Sequence, residues 1–190
     1  TDLGHLVPAE ILAPRKRLPR QIAGDPVDRY LEVAPGRRAF FFAATVAQAE
    51  EIAAALVARG VPAACVHADT PPTDRADAVA RFRAGELLGL CNVHVFTEGT
   101  DIPEAEVCVL ARGFSHASTY LQCVGRVLRP APGKSSALVL DLMGVSRSFG
   151  VPADAREYSL DGKAISVVGR DEDEPSGGGV VTEPTIVDAE

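Results

Sequence analysis

The stretch Gln122-Cys123-Val124-Gly125-Arg126-Val127-Leu128-Arg129 is the most informative part of this sequence. If residues 120–129 form a helix with about 100° per residue, Gln122, Arg126 and Arg129 fall within a wedge of about 60°, with Gly125 beside them. The opposite side is apolar. A guanidinium is planar, binds phosphate oxygens bidentately and stays charged at any working pH. The pattern therefore predicts an amphipathic helix that aims two arginines and one amide at a polyphosphate.

Composition indicates one ordinary globular domain with tails. The chain has 190 residues, of which 46% are hydrophobic and 24% charged, as in typical folded proteins. Its four cysteines show no C-x-x-C spacing, so we expect reduced, buried thiols rather than zinc ligands or disulfides. These features, with no membrane-length apolar run and no visible secretory signal, predict a cytoplasmic protein.

The net charge of −7 is unevenly distributed along the chain. Residues 170–190 hold seven acidic residues and one arginine, which together account for −6 of the total. The rest of the chain is nearly neutral, so its basic groups can still cluster on one surface. A low isoelectric point therefore does not exclude nucleic-acid binding.

Strand-like and helix-like stretches alternate from Arg38 onward. Short connections between them predict βαβ units, and hence an α/β fold with a mostly parallel sheet and helices on both faces. Ligands of such sheets usually bind to the loops at the carboxyl ends of the strands. Three candidate segments come directly after predicted strands: Thr45, residues 97–101 and Arg112. We expect strands at 38–44, 61–67, 87–96, 106–111 and 136–142, and helices at 46–59, 73–84 and 120–129.

A second motif, Thr97-Glu98-Gly99-Thr100-Asp101-Ile102-Pro103, begins 25 residues before Gln122. Together, T-E-G-x-D-x-P and Q-x-x-G-R-x-x-R resemble motifs V and VI of superfamily 2 helicases. The resemblance covers roughly residues 36–165 and is closest to DEAD/DEAH-type and restriction-type motors. It implies a RecA-like fold related to the P-loop NTPases. The chain has no P-loop of its own, because Gly133-Lys134-Ser135 lacks the first glycine of G-x-x-x-x-G-K-[ST].

The resemblance implies the second of two motor domains that share one ATP site. Arg126 and Arg129 would then be arginine fingers that stabilise charge on the transferring phosphoryl group. Gly99, Asp101, Gln122 and Gly125 would bind ATP, with Asp101 accepting from the ribose or ordering the arginines. A first, N-terminal motor domain, in cis or in trans, would hold Mg²⁺. The alternatives are surface arginines in salt bridges and an ordinary turn at Gly99.

Nucleic acid, either DNA or RNA, is the other implied partner. Thr97 and Thr45 resemble the motif V and motif IV residues that touch the backbone, and Thr45 is equally well explained as an N-cap. His67 and Arg75 resemble an H-G-x-x-x-x-x-x-R stretch of related motors, although Ala68 replaces its glycine. For His67, a satisfied core or loop histidine is an equal alternative. No metal ligands and no membrane contact are expected.

Three regions follow from this reading. Residues 1–35 are predicted to connect to a first motor domain, 36–168 to form the helicase C-terminal RecA-like domain, and 169–190 to form a disordered acidic tail. The predicted function is the second motor domain of an ATP-dependent helicase or translocase, inactive as an ATPase by itself. Two alternatives stay open: a non-catalytic domain that binds nucleic acid or docks on a partner, and the motor part of a restriction-type enzyme.

Overall fold

The computed structural model describes residues 6–15, 22–93 and 101–152, and three two-residue strands further on. The strands of these residues are β1 (Ala9–Leu12), β2 (Ala39–Ala43), β3 (Ala63–Val66), β4 (Gly89–Asn92), β5 (Val107–Ala111), β6 (Ala137–Asp141), β7 (Arg156–Glu157), β8 (Ser166–Val167) and β9 (Val181–Thr182). The helices are α1 (Pro26–Val33), α2 (Val46–Ala58), α3 (Pro72–Ala84), α4 (Ala117–Val127) and α5 (Ser146–Phe149).

One parallel sheet organises the described part of the chain. Its strand order is β3-β4-β2-β5-β6-β1-β9, and each neighbouring pair is parallel. Strands β7 and β8 form a separate antiparallel pair. Right-handed crossover connections place helices against both faces of such a sheet. The predicted α/β architecture is confirmed.

The two faces of the sheet can be followed along β2, where side chains alternate. Phe40 and Phe42 belong to the core that α3 and α4 cover, and the Phe40 ring stacks on Phe82 of α3 at a centroid distance of 5.4 Å. Phe41 points to the other face, where it meets Tyr30 of α1 edge-on at 5.4 Å. Because all three phenylalanines are buried, β2 reads as a continuous apolar run, as central parallel strands do.

The segment predicted to be connective contains two elements of the domain. Strand β1 pairs with β6 over four residues, and the Asp25 carboxylate caps α1 by accepting from Val27 N at 2.8 Å and Asp28 N at 3.0 Å. Pro8 and Pro14 flank β1, and Pro26 is the first residue of α1, where proline is tolerated. Within the predicted tail, Val181–Thr182 pairs with β1, and the tail's other residues lie outside the described part.

The helix predicted at 120–129 needs correction at both ends. Helix α4 begins at Ala117, after His116, which makes no side-chain capping bond. The helix ends at Val127, with Leu128 as C-cap, so Arg129 lies beyond it and not on its face. Helix α3 begins at Pro72, one residue before the predicted start, and its buried residues are Ala78 and Phe82.

The cysteines have the free, mostly buried state that their spacing predicts. All four cysteines are free, and only Cys65 is partly exposed. Among the residues with a described structure, no helix combines the length and apolarity needed to cross a bilayer.

Candidate functional site

The motif that resembles motif VI ends at the amino edge of the sheet, the edge where the parallel strands begin. Helix α4 starts after the carboxyl end of β5 and returns antiparallel to the strands before β6 begins. At its end, Val7 N, just before β1, donates to Leu128 O at 2.8 Å. This contact places Arg129 near the amino ends of β1 and β6.

Asp101 and Arg129 form an ion pair. Arg129 Nη1 donates to Asp101 Oδ1, and the side chains remain 41% and 70% exposed respectively. Arg83, near the end of α3, donates to the backbone carbonyl of Asp101. The two motifs, far apart in sequence, therefore meet in space. They meet at the amino edge, because the residues from Asp101 lead into the start of β5 and Arg129 lies near the amino ends of β1 and β6. The expected carboxyl-edge position of Asp101 is wrong.

The exposed side of α4 leaves open space beside its glycine. Gln122 is exposed, Gly125 and Arg126 are half-buried, and a Cβ atom built on Gly125 would meet nothing within 4 Å. Glycine inside a helix costs about 1 kcal/mol relative to alanine. Among the described residues, no atom lies close enough to require glycine at position 125.

The buried side of α4 places Cys123 beside two arginines. Burial raises the pKa of the Cys123 thiol to about 12, and the nearby charges of Arg112 and Arg126 oppose that shift. The Arg112 guanidinium lies 5.0 Å from the centre of the Phe114 ring, within cation–π range. The thiol is therefore protonated and inert at neutral pH, and Cys123 packs as a small apolar residue.

A network of cations and carboxylates surrounds the Asp101–Arg129 pair. Arg38 Nη1, just before β2, donates to Arg83 O at 3.0 Å, and Arg83 Nε lies 4.0 Å from Glu104 Oε2. On the other side of β5, Arg37 Nε lies 3.5 Å from Glu106 Oε1. This network links the starts of β2 and β5 with the end of α3, so the loop that carries Asp101 is attached at several points.

Lys134 is the residue of this site whose function the sequence did not indicate. Its ammonium donates to the carbonyls of Pro103 and Arg129, both at 2.9 Å, and to that of Ala105. Burial lowers the pKa of Lys134 to about 8 from its usual 10.5. Its partners are backbone oxygens, two of them about 30 residues away, and no side-chain pattern marks such contacts. In the sequence Lys134 had stood out only as part of an incomplete P-loop.

The opposite, carboxyl edge of the sheet holds Thr45. Its hydroxyl oxygen caps α2 by accepting from Gln48 N at 3.1 Å, as the N-cap alternative predicts. Gln48 in turn joins two strand ends: its Oε1 accepts from Ala44 N at 2.8 Å, and its Nε2 donates to Ala111 O at 3.3 Å. These bonds fix the loop after β2 against the end of β5.

His67 and Arg75 lie on the same carboxyl edge, after β3. Arg75 Nη2 donates to His67 O at 3.2 Å and more weakly to Ala68 O and Thr70 O, both at 3.4 Å. Thr70 Oγ1 accepts from His67 N at 2.9 Å. Arg75 thus stabilises the loop that carries His67, and this structural contact uses part of its guanidinium.

The predicted site residues therefore divide between the two edges of the sheet. Asp101, Gln122, Gly125, Arg126 and Arg129 belong to the loop before β5 and to α4 and its end, whereas Thr45, His67 and Arg75 lie at the carboxyl edge. The predictions for Thr97 and Gly99 fall outside the described residues.

The described residues offer basic groups but no metal site. Over 6–15, 22–93 and 101–152, no three His, Cys, Asp or Glu residues are grouped so that they could hold a metal ion. Mg²⁺ demands octahedral oxygen coordination, which the arginines and amide of α4 do not provide.

Comparison with known proteins identifies the family. Residues 24–131 match the model of the helicase conserved C-terminal domain. UvrABC system protein B of Anaplasma phagocytophilum is 33% identical over 124 residues, which cover 63% of this chain and 19% of that protein. The chain spans at most 28% of the length of the first curated relatives that it matches.

Solved structures agree on the fold. A fragment described as an HsdR subunit of a type I restriction enzyme from Vibrio vulnificus YJ016 has a TM-score of 0.63 and 22% identity, covering 80% of this chain and 35% of the fragment. The Escherichia coli DEAD-box protein SrmB has a TM-score of 0.56 and 21% identity, covering 80% and 91%. The fold is thus RecA-like, and the chain belongs to the family of helicase conserved C-terminal domains found in superfamily 2 helicases and translocases.

Proposed function

We propose that this chain is the second motor domain of an ATP-dependent nucleic-acid helicase or translocase. It supplies Arg126 and Arg129 to an ATP site that it shares with a first motor domain. ATP is the substrate of the complete motor, and the first domain holds Mg²⁺. Because the chain has no P-loop, we expect it to hydrolyse no ATP by itself.

The ion pair between Arg129 and Asp101 is the observation that carries this proposal. It links the loop from the T-E-G-x-D-x-P motif to the residue that follows α4. Both side chains stay partly exposed, so the guanidinium can still offer N–H groups to a phosphate. An arginine that is held in place before the phosphate arrives loses less conformational entropy when it binds.

The open space at Gly125 supports a close approach by a partner. Gln122, Gly125 and Arg126 form the solvent-facing side of α4, and a Cβ atom on Gly125 would enter unoccupied space. If the first domain and its bound nucleotide approach there, Gln122 donates or accepts a hydrogen bond while the arginines stabilise negative charge. Stabilisation of developing charge by preorganised donors is the main route to phosphoryl transfer.

Nucleic acid contacts the other edge of the sheet in this proposal. Thr45, Thr97, His67 and Arg75 are the candidate residues, and Thr45 stands at the N-terminus of α2. Hydroxyl groups and helix N-terminal amides suit phosphate oxygens. The separation of this edge from the Asp101–Arg129 pair allows ATP and nucleic acid to bind without competing for the same side chains.

ATP hydrolysis by the complete two-domain motor tests the proposal. Arg126→Lys and Arg129→Lys should each lower kcat by about 100-fold or more. Arginine fingers raise kcat by a factor of about 10³ to 10⁵, and lysine lacks the bidentate fork. As a control, Gln122→Ala should lower kcat less than either arginine variant, because it removes one neutral hydrogen bond. Equal activity in wild type and Arg129→Lys would refute the assignment of Arg129.

A further inference from the structure

Lys134 joins two segments that the proposed ATP chemistry needs. Its three donors reach the carbonyls of Pro103 and Ala105, in the segment that follows Asp101, and the carbonyl of Arg129. The side chain is half-buried. No charged oxygen lies among these three acceptors, so Lys134 acts on the protein backbone and not as the phosphate-binding lysine of a P-loop.

We propose that Lys134 is a positioning residue that holds the backbone of Arg129 against the Asp101 loop and thereby sets the direction of the Arg129 guanidinium. The inference rests on the proposed role of Arg129 in ATP hydrolysis. Two independent attachments support it: the side-chain ion pair between Arg129 and Asp101, and the backbone bridge through Lys134. With both attachments intact, the side chain and the main chain of Arg129 are both held against the loop that carries Asp101.

The geometry depends on the charge state of the lysine. An ammonium has three N–H donors, which match the three carbonyls. A neutral amine has two donors and one lone pair, and the lone pair would face a carbonyl oxygen. The surrounding charges come from Arg37 and Arg38 before β2 and from Glu104 and Glu106 before β5. Since the pKa of Lys134 lies at about 8, the bridge weakens as the pH rises through that value.

Measurement of kcat and KM in the complete motor tests this inference. We expect Lys134→Met to lower kcat about tenfold or more with little change in KM, because small misplacements of a catalytic group are costly. Arg59→Gln is the control, since it removes an exposed cation that pairs with Asp28, and it should leave kcat unchanged.

A pH profile separates positioning from a general structural role. Wild-type kcat should fall as the pH rises above about 8, where the ammonium loses its third donor. In Lys134→Arg, which stays charged, that alkaline decline should move to higher pH. This comparison holds even if Lys134→Met fails to fold. An identical decline in wild type and Lys134→Arg would overturn the inference.

The outcomes also separate this inference from the proposed function. Wild-type kcat in Lys134→Met together with a strongly reduced kcat in Arg129→Lys would overturn the positioning role alone. Wild-type kcat in Arg129→Lys would overturn the proposed function, and the positioning role with it. Reduced kcat in both, with the shifted profile in Lys134→Arg, would support both.

Discussion

At the scale of single residues, we expect the ion pair of Arg129 and Asp101 to affect kcat much more than the free energy of unfolding. Both side chains are well exposed, and exposed ion pairs contribute about 0–1 kcal/mol. We therefore expect Asp101→Asn to change the free energy of unfolding by less than about 1 kcal/mol in urea titrations, while kcat of the complete motor falls clearly. A large loss of stability with normal kcat would show that Asp101 serves the fold.

Lys134 gives a second residue-scale prediction, in which stability and activity respond to pH in opposite directions. Its pKa is about 8 in the folded chain and 10.5 in an ordinary environment. Between these values the unfolded chain binds more protons, so the free energy of unfolding rises with pH. In urea unfolding at pH 7, 8, 9 and 10, the free energy of unfolding of wild type should increase with pH relative to that of Lys134→Met. A constant difference would contradict the lowered pKa.

At the scale of elements, α4 should be more stable without its glycine. Alanine at position 125 meets no atom within 4 Å, and it favours a helix interior by about 1 kcal/mol over glycine. We expect Gly125→Ala to raise the thermal midpoint and to lower kcat of the complete motor, because the methyl group would occupy the space into which we propose that the partner domain approaches. Higher stability with unchanged kcat would show that nothing approaches α4 there.

The same elements show what could be predicted from sequence. The central strands, and the packing of helices on both faces of the sheet, could be predicted from two features. These are continuous apolar runs such as residues 39–43 and the regular alternation of strands with helices. Strand β1 escaped prediction because four residues flanked by prolines carry little periodic signal. The end of α4 was misplaced because Val127 and Leu128 are both buried and continue the apolar pattern, whereas the helix stops before Arg129.

The site could be predicted only in part. The spacing of the two motifs predicted the candidate site residues, but it held no sign that Asp101 would meet Arg129 at the amino edge rather than the carboxyl edge. That position depends on how the residues before β5 pack against the end of α4, which is a tertiary contact. Lys134 and Arg83 were missed because they bind backbone carbonyls, and such contacts have no signature in side-chain patterns.

At the scale of the whole molecule, the acidic tail should oppose nucleic-acid binding. Residues 170–190 carry −6 of the net charge of −7, and the affinity for nucleic acid depends on phosphate–cation contacts. We expect removal of 170–190 to strengthen the binding of single-stranded nucleic acid in fluorescence titrations, with the largest gain at low salt. As a control, replacing the seven acids by Asn and Gln should have the same effect. Weaker binding after the deletion would refute this charge argument.

One measurement directly tests whether Arg126 and Arg129 act on ATP or on nucleic acid. In the complete motor, kcat for ATP and the Kd for nucleic acid without nucleotide should be compared between wild type and the Arg126→Lys, Arg129→Lys double variant. We predict a kcat reduced by about 100-fold or more and an unchanged Kd, because the proposed nucleic-acid contacts lie at the other edge of the sheet. Wild-type kcat together with weakened nucleic-acid binding would contradict this prediction and assign both arginines to the nucleic-acid track.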